Sequence, residues 1–158
     1  MVIYAKDTYQ LPQKYINNNK AVLTAIRGES EEEYMKYLFL DVENRDVNMV
    51  EANGLDDYYR LIGCRTIDII SRTISDVKVE IVLDDEGALV EHPKVSAIDI
   101  DGTPMLFGNL LVASGRVTED GELTELTKAE VDEIMDNIAT ITTSVYKEPY
   151  PVFVEMDY

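Results

Sequence analysis

The sequence predicts an α+β fold: a mostly antiparallel sheet, at least two helices packed on one face, and an extended C-terminal segment. Three observations predict it. The β-branched run Thr66–Ile74 is followed almost at once by Val77–Leu83, where Val77, Val79, Ile81 and Leu83 alternate, the pattern of an antiparallel hairpin. Leu55, Tyr58, Tyr59 and Ile62 recur at i, i+3, i+4 and i+7, which places them on one side of a short helix. Thr127-Lys128-Ala129-Glu130 reads as a capping box, in which hydroxyl and carboxylate each satisfy a free backbone donor, so a second helix starts there.

The elements follow in order. Val2–Ala5 and Ala21–Ile26 read as strands, the second stopped at Gly28, with Pro12 and Asn17-Asn18-Asn19 breaking the chain between them. Glu31–Tyr37 suits helix and strand equally. Tyr37–Val42 is a strand, and Asn44-Arg45-Asp46 turns the chain into Val47–Val50. Gly54 opens the first helix and Gly63 supplies the left-handed residue that ends it. After the hairpin, Asp84-Asp85-Glu86-Gly87 is a turn. Pro93 and Asp101-Gly102-Thr103-Pro104 bracket a short strand at Ser96–Ile100. Leu106–Ala113, the most apolar stretch, is expected as one central strand. Val131, Ile134, Met135 and Ile138 form the buried stripe of the second helix. The final extended pieces, Ile141–Tyr146 and Pro151–Met156, are separated by prolines that suit an edge strand or a projecting arm. Three regions result: 1–50, N-terminal strands of the same domain or a small appendage; 51–140, the α+β core; and 141–158, the edge strand or arm.

Charge is the strongest functional signal. The 158 residues carry 31 Asp and Glu against 14 Lys and Arg, a net charge of -17, and every carboxylate but Asp7 lies at or beyond Glu29. Such a field repels nucleic-acid phosphates and anionic membranes and attracts basic protein surfaces, so direct nucleic-acid or membrane binding is not expected. With 46% hydrophobic residues the chain folds rather than remaining disordered. One cysteine, Cys64, makes no intrachain disulfide; with no signal peptide and no apolar run long enough to span a bilayer, the expected location is the cytosol. Ten tyrosines against three phenylalanines suit core edges and partner surfaces, and a homodimer is compatible with the composition.

Three acidic stretches carry the charge. Glu31, Glu32, Glu33, Asp41, Glu43, Asp56 and Asp57 belong to the first. Asp84, Asp85 and Glu86 form the second. Glu119, Asp120, Glu122, Glu125, Asp132, Glu133 and Asp136 belong to the third. Apolar residues recur inside each, so these are solvent faces of folded elements rather than tails. Fixed on such faces, the carboxylates of the first and third stretches imitate a phosphate backbone and form the expected partner-binding set. The Asp84-Asp85-Glu86 triplet is the best metal candidate, since hard cations take clustered carboxylate oxygens, and Asp99 and Asp101 would add ligands if the two turns met. Its spacing matches no EF-hand loop, and Asp with Gly after a strand is ordinary turn chemistry. The single His92, next to Pro93, lies in no recognisable nucleophile arrangement with Cys64 or Ser96. No phosphate-binding or dinucleotide glycine pattern occurs, one Cys and one His cannot close a structural zinc site, and no cofactor is expected.

The stretch Leu55–Ile70, followed in order by Asp84-Asp85-Glu86-Gly87, Phe107-Gly108-Asn109-Leu110-Leu111-Val112 and Leu126-Thr127, resembles a small family of uncharacterised domains, many from Firmicutes, encoded by phages, plasmids and conjugative elements. The resemblance covers about Leu55 to Ile138 and rests on turn, helix-end and strand patterns. It implies a mobile-element context, in which small acidic proteins frequently block host defence nucleases. Together with the charge, it leads to the expectation of a non-enzymatic anti-defence inhibitor, of the anti-CRISPR or anti-restriction kind, bound to a basic surface of a host nucleic-acid-binding protein. The other readings are a metal- or small-ligand-binding module or enzyme centred on Asp84, Asp85 and Glu86, and a structural or regulatory subunit assembling through the Tyr-rich segment Tyr146–Tyr158.

Overall fold

Strands that alternate apolar residues on both sides of the pleat need cover on two faces, and the topology provides it. The computed structural model describes residues 35–158 and the backbone of 3–5. Among them, β1 (Ile3–Ala5), β9 (Ile138–Thr142), β10 (Tyr150–Phe153), β6 (Val95–Ile98) and β7 (Pro104–Phe107) form a five-stranded sheet in that spatial order. The six-stranded sheet runs β11 (Met156–Asp157), β4 (Ile67–Ile74), β5 (Val77–Asp84), β8 (Leu110–Ser114), β2 (Met35–Asp41) and β3 (Asp46–Ala52). Every named strand pair is antiparallel except β10 with β6. Helix α1 (Leu55–Ile62) links β3 to β4, and α2 (Lys128–Met135) precedes β9.

Register sorts the core. Leu38, Val112, Ile81 and Ile70 oppose one another across four strands, and this row packs against Ala97, Ile98, Ile138, Val152 and Phe153 of the other sheet. Phe39, Leu111 and Val82 form the adjacent row, facing the opposite way, where they meet Tyr58 and Ile62 of α1. Each fully buried aliphatic or aromatic side chain contributes about 1.5–3 kcal/mol, so the six-stranded sheet is stabilised from both faces.

The α+β class, the mostly antiparallel pairing and the terminal strand agree with the expectation. The helices, however, do not share one face. The buried residues of α1 join the cluster outside the six-stranded sheet, whereas Val131 and Ile134 of α2 join the cluster that contains residues of both sheets. Leu106–Ala113 is not one strand. Gly108 turns with φ 82° and donates its N–H to the Lys94 carbonyl at 2.9 Å, so β7 and β8 lie in different sheets. Helix α2 ends at Met135, and Ile138 is buried as the first residue of β9 rather than as part of a helical stripe.

The C-terminal segment also differs from a projecting arm. β10 is an inner strand, with Tyr150, Val152 and Phe153 each no more than 1% exposed; only β11 reaches a sheet edge. Pro151 sits opposite Thr140 in the β10–β9 ladder and outside the β10–β6 pairing, which occurs only at Phe153↔Ala97. The expected strand Ala21–Ile26 lies outside the described residues. The segment that fitted helix or strand equally is β-structure from Met35 onward, and β2 sits between β8 and β3 within the sheet.

Candidate functional site

Acidic side chains near a folded surface are either held by internal donors or left facing water, and the distinction identifies those available to a partner. In the first stretch, Glu31, Glu32 and Glu33 lie outside the described residues. Asp41 closes the β2–β3 turn by accepting from the Asn44 amide at 3.0 Å and from its side chain at 2.6 Å. Glu43 lies 3.4 Å from the Lys94 ammonium. Gly54 offers α1 no side-chain cap, and Asp57 instead accepts from the Asn53 amide at 2.7 Å and from Arg60 at 3.1 Å. Asp56 is exposed in the first turn, where a carboxylate suits the helix dipole.

The second stretch is a turn. Asp84 accepts from the Glu86 amide at 2.9 Å, and Asp85 takes a short hydrogen bond from the Thr66 hydroxyl. Asp99 closes its own turn through the amides of Asp101 at 2.9 Å and Thr103 at 2.8 Å. Asp84 and Asp99 line different cavities, and no group of three or more His, Cys, Asp or Glu side chains able to hold a metal ion occurs among the described residues. Cys64 is half-buried; burial, then the Asp84 carboxylate, push its thiol above the usual value despite the Thr66 backbone, so it stays protonated. His92 is exposed, with Nε2 3.6 Å from Glu91.

The third stretch divides. Glu119, Asp120 and Glu122 are exposed around a tight turn in which the Thr118 hydroxyl accepts from the Glu122 amide at 3.0 Å. Glu125 accepts from the Lys36 amide at 3.2 Å. Leu123, between them, packs in the same cluster as Tyr37 and Tyr58, so this loop and α1 share a face. Burial drives the Tyr37 phenol far above its ordinary pKa, and a hydrogen bond with Tyr58 and the fields of Glu125 and Glu122 add to it. On α2, Lys128 pairs with Asp132 at 2.9 Å, Glu133 accepts from the Ser75 hydroxyl at 3.2 Å, and Asp136 is exposed. The expected partner-binding set thus separates into an α1-side group and an α2-side group.

Glu133 leads to a feature the sequence did not reveal. Its partner Ser75 lies in the β4–β5 turn, and the Ser75 amide donates to the Glu155 carbonyl at 3.1 Å. Around this bond Asp76, Asp99, Glu155 and Asp157 line a cleft of about 420 Å³, with no Lys or Arg among its described lining residues. Ile100, 76% exposed, stands at the same cleft. Arg72 stacks 4.5 Å from the ring centre of Tyr158, the residue after Asp157. Asp76, Asp99 and the Glu155–Asp157 pair are far apart in the sequence; only the pairing of β11 with β4 and the meeting of three turns assemble them.

The arrangement defines an α+β protein of two packed sheets with separate acidic surfaces. The chain belongs to the DUF3846 family, described as a domain of unknown function, whose match covers residues 35–139. That span extends the resemblance seen in the sequence through β2 and β3. No curated protein and no solved structure matches the chain. No helix of the described residues is long and apolar enough to cross a membrane.

Proposed function

We propose that this DUF3846 protein is a non-enzymatic inhibitor encoded by a mobile genetic element, acting in the bacterial cytosol by occupying the basic nucleic-acid-binding surface of a host defence protein. The carrying observation is the state of its carboxylates. Residues 35–158 hold 26 of them against ten Lys and Arg. Asp56, Glu119, Asp120 and Asp136 are exposed on α1, on the turn after β8 and at the end of α2, and their side chains make no ion pair among the described residues. Because packed elements fix these charges, their mutual repulsion is met during folding rather than on binding. A basic channel that meets either group releases counterions as it would on DNA, which gives specificity and steep salt dependence.

The test is protection of incoming phage or plasmid DNA in cells carrying the targeted nuclease. Replacing Asp56, Glu119, Asp120 and Asp136 together by lysine abolishes protection while leaving the thermal unfolding transition cooperative. Protection that survives this reversal contradicts the reading.

A further inference from the structure

A second cleft gathers cations. Arg45, Lys94 and Lys147, three of the ten cations of residues 35–158, line a cavity of about 440 Å³ together with Val145, Tyr146 and Tyr150. That volume falls within the range of small-molecule sites, about 300–1,000 Å³. Lys94 has a side chain only 16% exposed, with its ammonium 3.4 Å from Glu43 and 4.7 Å from the centre of the Tyr146 ring. The Tyr146 hydroxyl in turn donates to the carbonyl of His92, a non-glycine residue held at φ 53°. The Tyr146 amide donates to Thr143 Oγ1 at 2.9 Å, so this wall is fixed from both ends.

Two groups in the cleft lack a counterpart. Lys147 is exposed and makes no ion pair among the described residues. Tyr150 is 1% exposed, and its buried hydroxyl donates to no acceptor among the described residues; the Val95 backbone beside it acts on it only as a donor. A buried unsatisfied hydroxyl costs about 1–3 kcal/mol, and native structures contain few. Burial, with the neighbouring Tyr146, raises its pKa to about 12, so it stays a donor at neutral pH. The acidic residues present do not close the site. Glu148, 76% exposed, pairs with the half-exposed Arg45, and surface pairs of this kind are worth about 0–1 kcal/mol; Glu43, 68% exposed, approaches Lys94 from the solvent side only.

We infer that the cleft between Lys94, Lys147 and Tyr150 binds a small organic anion: a carboxylate or phosphate group joined to a flat apolar body. The cations take the charge, Tyr150 donates to it, and Val145, half-exposed, flanks the apolar part. The protein's overall field excludes polyanions, which restricts the site to small ligands. This inference is independent of the inhibitor reading.

The test is an amide chemical-shift titration of the full chain with phenyl phosphate, benzoate and inorganic phosphate. At least one aromatic anion gives saturable shifts at Val145, Tyr146, Lys147 and Tyr150, at least tenfold tighter than inorganic phosphate. Lys147→Ala, at an exposed position, weakens that binding about tenfold, the size of one lost charge-assisted contact. The inference is overturned if neither aromatic anion saturates at these residues, if inorganic phosphate binds as tightly, or if Lys147→Ala leaves the affinity unchanged.

Discussion

Glu130 shows how a single side chain joins several elements. It completes the capping box with Thr127, accepts from Arg116 at 3.0 Å and from the Ser114 hydroxyl at 3.1 Å, and so ties α2 to the end of β8. Partial burial opposes its ionisation, but hydrogen bonds from the Thr127 amide, Arg116 and Ser114 outweigh it and hold the carboxyl below its usual value. A folded pKa below the unfolded one contributes stability that is present above the ordinary glutamate value of about 4.3 and is lost as pH falls through the folded value. Glu130→Gln keeps the hydrogen-bonding reach and removes the charge. It destabilises the protein at pH 7 by about 1.5–3 kcal/mol, the scale of a hydrogen bond to a charged group, and the difference from wild type narrows in urea unfolding as pH falls below about 4.3. The box was legible from four consecutive residues because its geometry is local; the Arg116 and Ser114 contacts were not, since Ser114 and Arg116 lie 16 and 14 residues away.

Legibility among the elements followed the same division between local and distant causes. The β4–β5 hairpin was readable because strict alternation fixes register, and it pairs without a break from Ile67↔Asp84 to Ile74↔Val77. Helix α1 and its left-handed Gly63, φ 77°, were readable from spacing and the glycine stop. The uniformly apolar Leu106–Ala113 has no period to show that it crosses between sheets at Gly108. The prolines of the C-terminal segment signalled an edge, yet Tyr150, Val152, Phe153, Val154 and Met156 are all core residues. Truncation after Thr143 therefore abolishes the cooperative urea transition; an arm outside the core would leave the midpoint unchanged.

Across the whole molecule, the sequence located the acidic stretches but not their grouping. Composition shows charge density, whereas the face each carboxylate occupies depends on sheet pairing. The α1 group joins the Leu123 loop through one apolar cluster, and Glu133 joins the Asp76, Asp99, Glu155 and Asp157 cleft through Ser75. Packed elements hold these carboxylates as two separate groups of negative charge, one beside α1 and one beside α2. The most direct test is affinity capture of host proteins on the immobilised full chain, with and without competing duplex DNA. The retained proteins are nucleic-acid-binding proteins, released both by DNA and by raising salt from about 50 to 200 mM, as counterion release demands. Retention that is insensitive to DNA and to salt, or that persists when Asp56, Glu119, Asp120 and Asp136 are all lysine, contradicts the account.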